Sequence, residues 1–231
     1  RAAVAVLAGT ILIARSPSSA IAIINELRAR GPFTQMVLGV TMITDVMPTG
    51  DAKDVAKDYA VSFGGNAVTA GFACAKLGHA PDLLTSLADD WLGRMFLDMA
   101  ARYRIPVHAR KVNRSSLSFI LPKDGKRAIL RARDDDYLHP FPQLNLGSCR
   151  VLHLDGHQSD AALHYARMCR ERGILTSLDG GGLRSNTHDL LAYVDVAVVA
   201  ERLCEQMELS AEGMLDYLKS RGCRIGGVTE G

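Results

Sequence analysis

The residues best suited to chemistry in this chain begin at Gly64-Gly65-Asn66. They open a run of small residues from Ala67 to Ala75 that Lys76-Leu77-Gly78 closes. Paired glycines let a backbone pass close to a ligand, and a glycine after the last turn supplies the left-handed residue that ends a helix. Asn66 then has two uses. Its side-chain oxygen caps the first helical turn, or its amide faces a hydroxyl-bearing ligand as both donor and acceptor. Thr69 lies one turn further along the same face. The pattern is neither G-x-G-x-x-G nor G-x-x-x-x-G-K-[ST], so the dinucleotide and P-loop fingerprints are absent.

Other groups invite chemistry and have plainer readings beside it. His153, Asp155 and His157 alternate at the end of a β-rich run, as metal ligands on one strand face would. Gly156-His157 begins a loop, however, and a rim position at the carboxyl end of a strand, where open α/β sheets bind ligands, fits better. Asp134-Asp135-Asp136 has the charge for a cation but follows a hairpin, which makes it a solvated turn. Trp91, Met95, Phe96, Met99 and Tyr103 recur at helical spacing and are expected in the core. Cys74, amid small apolar residues, is expected to be buried rather than nucleophilic.

From Cys149 onward, apolar β-rich runs alternate with amphipathic ones. They read Val151–Asp155, then Ser159–Arg172; Ile174–Asp179, then a short segment; Val194–Ala200, then Ser210–Arg221; and last Arg224–Thr229. This order predicts a parallel sheet of βα units, with Ser159 and Ser210 as N-caps and Gly173 and Gly222 after the helix ends. Leu117–Leu121 alternates, Asp124-Gly125 supplies a tight turn and Arg127–Leu130 returns, which predicts an antiparallel hairpin. Pro122 suits a strand end or edge. Such a hairpin does not belong in a central parallel sheet and is expected in a small separate one, such as a lid.

The chain has 231 residues, 48% apolar and 23% charged, with a formal net charge of +2. These values exclude disordered and collagen-like classes, and the interspersed signs give no field for nucleic acid or an anionic membrane surface. Five cysteines without a CxxC suggest neither a disulfide framework nor a zinc ribbon, and a reducing, cytoplasmic setting follows. Ala2–Ala14 is an apolar run of 13 residues, too short to cross about 30 Å of hydrocarbon as a helix. With Arg1 before it and Ser18-Ser19-Ala20 after it, the run has features of a signal peptide. The alternatives are a strand and helix of the fold, or an extension over residues 1–35 outside the domain.

Taken together, the motifs carry a resemblance. Gly64-Gly65-Asn66 with the helix ending Lys76-Leu77-Gly78 is similar to the N-terminal signature of the ribokinase-like (PfkB-type) carbohydrate kinases. Val37-Leu38-Gly39 leading to Asp45, Ala88-Asp89-Asp90-Trp91-Leu92-Gly93, the Phe119–Leu130 hairpin, Leu178-Asp179 through Arg184, and Val196–Glu201 follow in the family's order. The likeness runs from about residue 36 to the end. Leu154-Asp155-Gly156-His157 and Val198-Val199-Ala200-Glu201-Arg202 look most like ketohexokinase-type members.

The resemblance implies a three-layer αβα sandwich with a small β-sheet lid, the lid strands falling within about 37–63 and 115–132. It implies phosphorylation of a ketose-like sugar hydroxyl with ATP and Mg²⁺. Asp45, Gly64, Gly65, Asn66 and Thr69 would then line the sugar, Arg127 would lie near the transferred phosphate, and Thr229 and Glu230 would begin the nucleotide pocket. The partner is a small sugar, and the family suggests a homodimer through the lid.

Two departures stand out. Where the family has Asn-x-x-Glu, this chain reads Ala200-Glu201-Arg202-Leu203, a difference shared with ketohexokinase-like members. No Gly-x-Gly-Asp occurs in the 231 residues. In the family that segment supplies the anion hole and the general base. The expectation is therefore a C-terminally truncated kinase domain over 36–231, inactive alone, whose base would lie beyond Gly231. Two other readings stay open: a non-catalytic, sugar-binding regulatory form, and a nucleoside kinase of the same superfamily.

Overall fold

The computed structural model describes residues 62–123 and 126–229. Asp45, Glu230, the Asp124-Gly125 turn, residues 1–35 and the lid strands expected before residue 62 lie outside the described residues. The described chain divides into two compact units. One holds residues 62–64 with Val68–Pro142, the other Gly65–Ala67 with the chain from Gln143 onward.

In the first unit, α1 (Asn66–Lys76) contributes all but its opening turn. Strands β1 (Leu83–Leu87) and β2 (Val107–Lys111) pair in parallel, from Leu83 opposite Val107 to Leu87 opposite Lys111, and α2 (Trp91–Arg102) joins them. The core is Val68, Phe72, Leu83, Leu87, Phe96, Ala100 and Ile105. Phe63 meets Phe96 edge-on at 5.3 Å and Phe72 meets Tyr103 at 5.2 Å, the geometry that ring quadrupoles favour. Helix α2 starts where Asp90 Oδ1 accepts from the Gly93 backbone N–H at 2.8 Å, an N-cap bond.

The expected core stripe of α2 is corrected at two residues. Phe96 is buried, and Met99 and Tyr103 pack against the core, but Trp91 is 78% exposed and Met95 44%. At 100° per residue Trp91 stands about 140° around the helix from Phe96, so the buried stripe runs through Gly93, Phe96 and Ala100 instead. Trp91 is covered from outside by Arg94, whose guanidinium lies 5.4 Å from the ring centroid.

Strands β3 (Leu117–Lys123) and β4 (Lys126–Ala132) form the antiparallel hairpin, with Lys123 opposite Lys126 and Phe119 opposite Leu130. They make a two-stranded sheet of their own, as their polar-faced alternation required. Beyond the hairpin, the solvated-turn reading of Asp134 is also corrected. This side chain is buried, and it accepts from the backbone N–H of Arg114 at 3.0 Å and of Asp136 at 2.9 Å. Its neighbours Asp135, paired with Arg133 at 2.7 Å, and Asp136 are exposed and behave as surface charges.

The second unit carries a four-stranded parallel sheet in the order β5 (Val151–Leu154), β6 (Leu175–Gly180), β7 (Val196–Ala200), β8 (Ile225–Thr229). Neighbours in sequence are neighbours in the sheet, as short βα connections dictate. Helices α3 (Ser159–Glu171), α4 (Thr187–Leu191), α5 (Glu201–Gln206) and α6 (Ala211–Ser220) supply the intervening segments. Leu178, Ala197 and Val199 from the strands meet Ala166, Leu190, Leu203, Met214 and Leu218 from the helices in one buried cluster. Ser210 caps α6 by accepting from Gly213 N–H at 3.0 Å, and Gly173 and Gly222 take positive φ after α3 and α6. Ser159 is not a cap: Gln158, left-handed at φ 48°, holds that position without a side-chain bond, and Ser159 is already helical.

Candidate functional site

The Gly64-Gly65-Asn66 turn opens α1 as its spacing predicts. Gly65 sits at φ +112°, a conformation a side chain would strain, whereas Gly64 has open space where a Cβ would stand. Both glycines are exposed, and Asn66, the first residue of α1, is half-buried with Thr69 one turn on.

Asp155 anchors the opening turn of α1. Directly after β5, its Oδ2 accepts from the Ala67 backbone N–H at 3.5 Å, within the second unit. Its Oδ1 accepts from the His157 backbone N–H at 3.0 Å and lies 3.0 Å from His157 Nδ1. Burial alone would raise this carboxyl. The adjacent His157 imidazole, with the two backbone N–H groups, more than offsets it and holds the pKa at about 2, below the ordinary 3.8. His157 Nε2 in turn lies 2.9 Å from Arg184 Nη2. His153 faces elsewhere: its Nδ1 is 2.9 Å from Ser177 Oγ, and burial, opposed by the Asp155 charge, lowers its pKa. Asp155 and His157 thus engage each other, and His153 serves a different partner. No group of three potential ligands converges among the described residues.

The depressed carboxyl makes a pH prediction. Because the Asp155 pKa falls on folding, its contribution is fully present above pH 3.8 and is lost as pH drops through about 2. The shift corresponds to about 2 kcal/mol. Urea unfolding at neutral pH and near pH 2 is expected to show Asp155→Asn losing less stability on acidification than wild type. Equal losses would refute it.

In a parallel sheet all carboxyl ends lie at one edge, so the strand order places the other candidates. Thr229 ends β8, opposite Ala200, and its hydroxyl donates to the Val199 carbonyl at 3.4 Å. Asp155 follows β5, three strands away, about 14 Å at the usual strand spacing. Gly65, Asn66 and Thr229 therefore share the carboxyl edge of one sheet, the position where open α/β sheets bind ligands. Asp179, fully buried near the end of β6, lies between them. Arg127 is on β4 of the first unit opposite Pro122, and its side chain is outside what the structure describes.

Sequence reasoning noted Asp155, His157 and Arg184 separately and missed that they form one chain of contacts. The available signal was glycine at 156, directly between a strand-end carboxylate and an imidazole. Gly156 takes φ +77°, and a Cβ there would stand 3.2 Å from Arg184 Cδ and Nε.

No family model matches the chain. Solved structures do share its fold. Ribokinase from Thermotoga maritima superposes with a TM-score of 0.62 at 14% identity, over 80% of this chain and 65% of that one. Fructokinase from Xylella fastidiosa gives 0.61 at 17%, over 80% and 69%. A PfkB family carbohydrate kinase from Listeria grayi gives 0.56 at 17%, over 69% of this chain and 60% of its own length. Helices and parallel strands in this order, with a separate hairpin, are the ribokinase-like α/β fold.

Proposed function

We propose that this chain is part of an ATP-dependent carbohydrate kinase and carries the sugar end of its cleft. The observation that carries the reading is that Gly65 and Asn66, at the start of α1, sit at the same sheet edge as Thr229. In this reading Asn66 and the exposed glycine backbone, with Asp45 and Thr69, bind sugar hydroxyls. An amide and a carboxylate each engage two hydroxyls and so orient a polyol ring. Thr229 and Glu230 start the nucleotide pocket, and Arg127 offsets charge on the transferred phosphoryl group. Mg²⁺ would enter bound to ATP, as part of the nucleotide substrate. Holding sugar and phosphate in line is the main task of such a site.

The likeness of the Ala200-Glu201-Arg202-Leu203 segment and the Asp155-Gly156-His157 strand end to ketohexokinase-type members favours a ketose over other sugars. The 231 residues contain no Gly-x-Gly-Asp, so residues 1–231 by themselves are expected to bind sugar without turning over ATP. Calorimetric titration with D-fructose, D-ribose and adenosine tests this directly. Binding of D-fructose, weakened at least tenfold, or about 1.4 kcal/mol, by Asn66→Ala, supports the reading. Preference for adenosine would move the assignment to a nucleoside kinase, and sugar-dependent ATP consumption by residues 1–231 would refute the inactivity. A homodimer through the β3–β4 hairpin belongs to the same proposal, and sedimentation as a monomer at high concentration would remove it.

A further inference from the structure

We infer that Asp155, His157 and Arg184 are positioning residues that hold the Gly65-Asn66 turn in its binding geometry, an inference that rests on the sugar-site reading of that turn. A guanidinium has only N–H donors, so His157 Nε2, 2.9 Å from Arg184 Nη2, is the accepting nitrogen. The imidazole proton is therefore on Nδ1, which lies 3.0 Å from Asp155 Oδ1. The same oxygen takes the His157 backbone N–H, leaving Oδ2 toward Ala67 N–H, one residue past Asn66. A carboxylate at this place satisfies an otherwise unpaired donor of the first turn of α1 and complements the helix dipole.

The far end of the relay is held as well. The Arg184 backbone N–H donates to Thr187 Oγ1 at 2.9 Å, at the start of α4, and Gly156 leaves the room that a Cβ would take from the guanidinium. The chain of contacts thus runs from the β6–α4 loop through the end of β5 to the turn. Arg184 sets the tautomer of His157, His157 orients Asp155, and Asp155 fixes where α1 begins. With Oδ1 on the His157 backbone N–H and Oδ2 on Ala67, Asp155 acts on the sugar through Asn66.

The test needs no sugar at first. In residues 1–231 labelled with ¹⁵N-histidine, the His157 resonances are expected to show protonated Nδ1 and unprotonated Nε2. Ala67 amide exchange should accelerate tenfold or more in Asp155→Ala and Arg184→Met, with Leu178 in β6 as reference. Arg184→Lys, which still donates, should restore slow exchange. D-fructose affinity should fall at least fivefold in Arg184→Met and recover in Arg184→Lys. A proton on Nε2 in wild type, or unchanged Ala67 exchange in Arg184→Met, would overturn the relay. If either variant fails to fold, the wild-type tautomer alone decides. Absence of sugar binding in wild type with the exchange results intact would reject the proposed function and leave the relay standing.

Discussion

Gly93→Ala is expected to cost about 3 kcal/mol and to loosen the first unit from its α2 end. An added Cβ would stand 2.1 Å from the Ala88 carbonyl oxygen, a backbone atom that cannot swing aside. Relief requires moving the turn that holds the Asp90 cap, and Asp90 does more than cap. Its carboxylate also accepts from the Ser115 backbone N–H at 2.8 Å and from the Ser115 hydroxyl at 2.7 Å, tying the approach to the hairpin to the start of α2. The backbone N–H groups of Gly93 and Ser115 hold this carboxyl below its usual value. Gly71→Ala is the matched control. Its nearest foreign atom, Leu83 Cδ1, is 3.9 Å away, so alanine in that helix interior is expected to stabilise by about 0.5–1 kcal/mol. Chemical denaturation of the pair should separate them in opposite directions. Equal, small effects would show that the Asp90 turn tolerates a side chain.

Asp195→Ala is expected to be of similar size, about 3 kcal/mol, in the second unit. Asp195 precedes β7 and is buried among polar groups at the amino edge of the sheet. Its Oδ2 accepts from Thr176 N–H at 2.9 Å and lies 3.0 Å from the Thr176 hydroxyl, while Oδ1 pairs with Arg170 at 3.2 Å. Its own N–H donates to Thr176 Oγ1 at 3.2 Å, and its carbonyl receives the N–H groups of Arg224 and Ile225. Alanine keeps the backbone bonds, and the Thr176 hydroxyl keeps the Tyr193 carbonyl, but the buried Thr176 N–H loses its carboxylate acceptor. Arg170→Ala should cost under about 1 kcal/mol, because that side chain is 42% exposed and water takes the place of the guanidinium. Urea midpoints of the two variants should differ clearly. Matching values would mean that the ion pair, rather than the buried hydrogen bonds, accounts for the role of Asp195.

Much of the architecture was legible because it follows from local chemistry. The β-rich runs after Cys149 became β5 to β8 in sequence order, the hairpin over 117–132 formed a sheet of its own, and Ser210 capped α6. Each depends on residues a few positions apart. The failures have the opposite character. Trp91 and Met95 matched a helical spacing, but which stripe of α2 is buried depends on where Val68, Phe72 and Leu83 stand, and those come from other elements. Ser159 had the chemistry of a cap, yet the loop after Gly156 brings Gln158 to that position in a left-handed conformation. Asp134 was one of three adjacent carboxylates, and it accepts from the backbone of Arg114, twenty residues earlier, as well as from Asp136 beside it.

The candidate site divides along the same line. Sequence by itself determined the turn, since paired glycines before Asn66 and a helix of small residues specify that geometry locally, and it determined the order of elements carrying Asp155, Arg184 and Thr229. Tertiary structure alone decided that Asp155 meets Ala67, 88 residues away, and that Arg184 meets His157 across 27. The physical reason is that these bonds form only when the start of α1 and the β6–α4 loop pack against the carboxyl end of β5, and no run of neighbouring residues sets that placement.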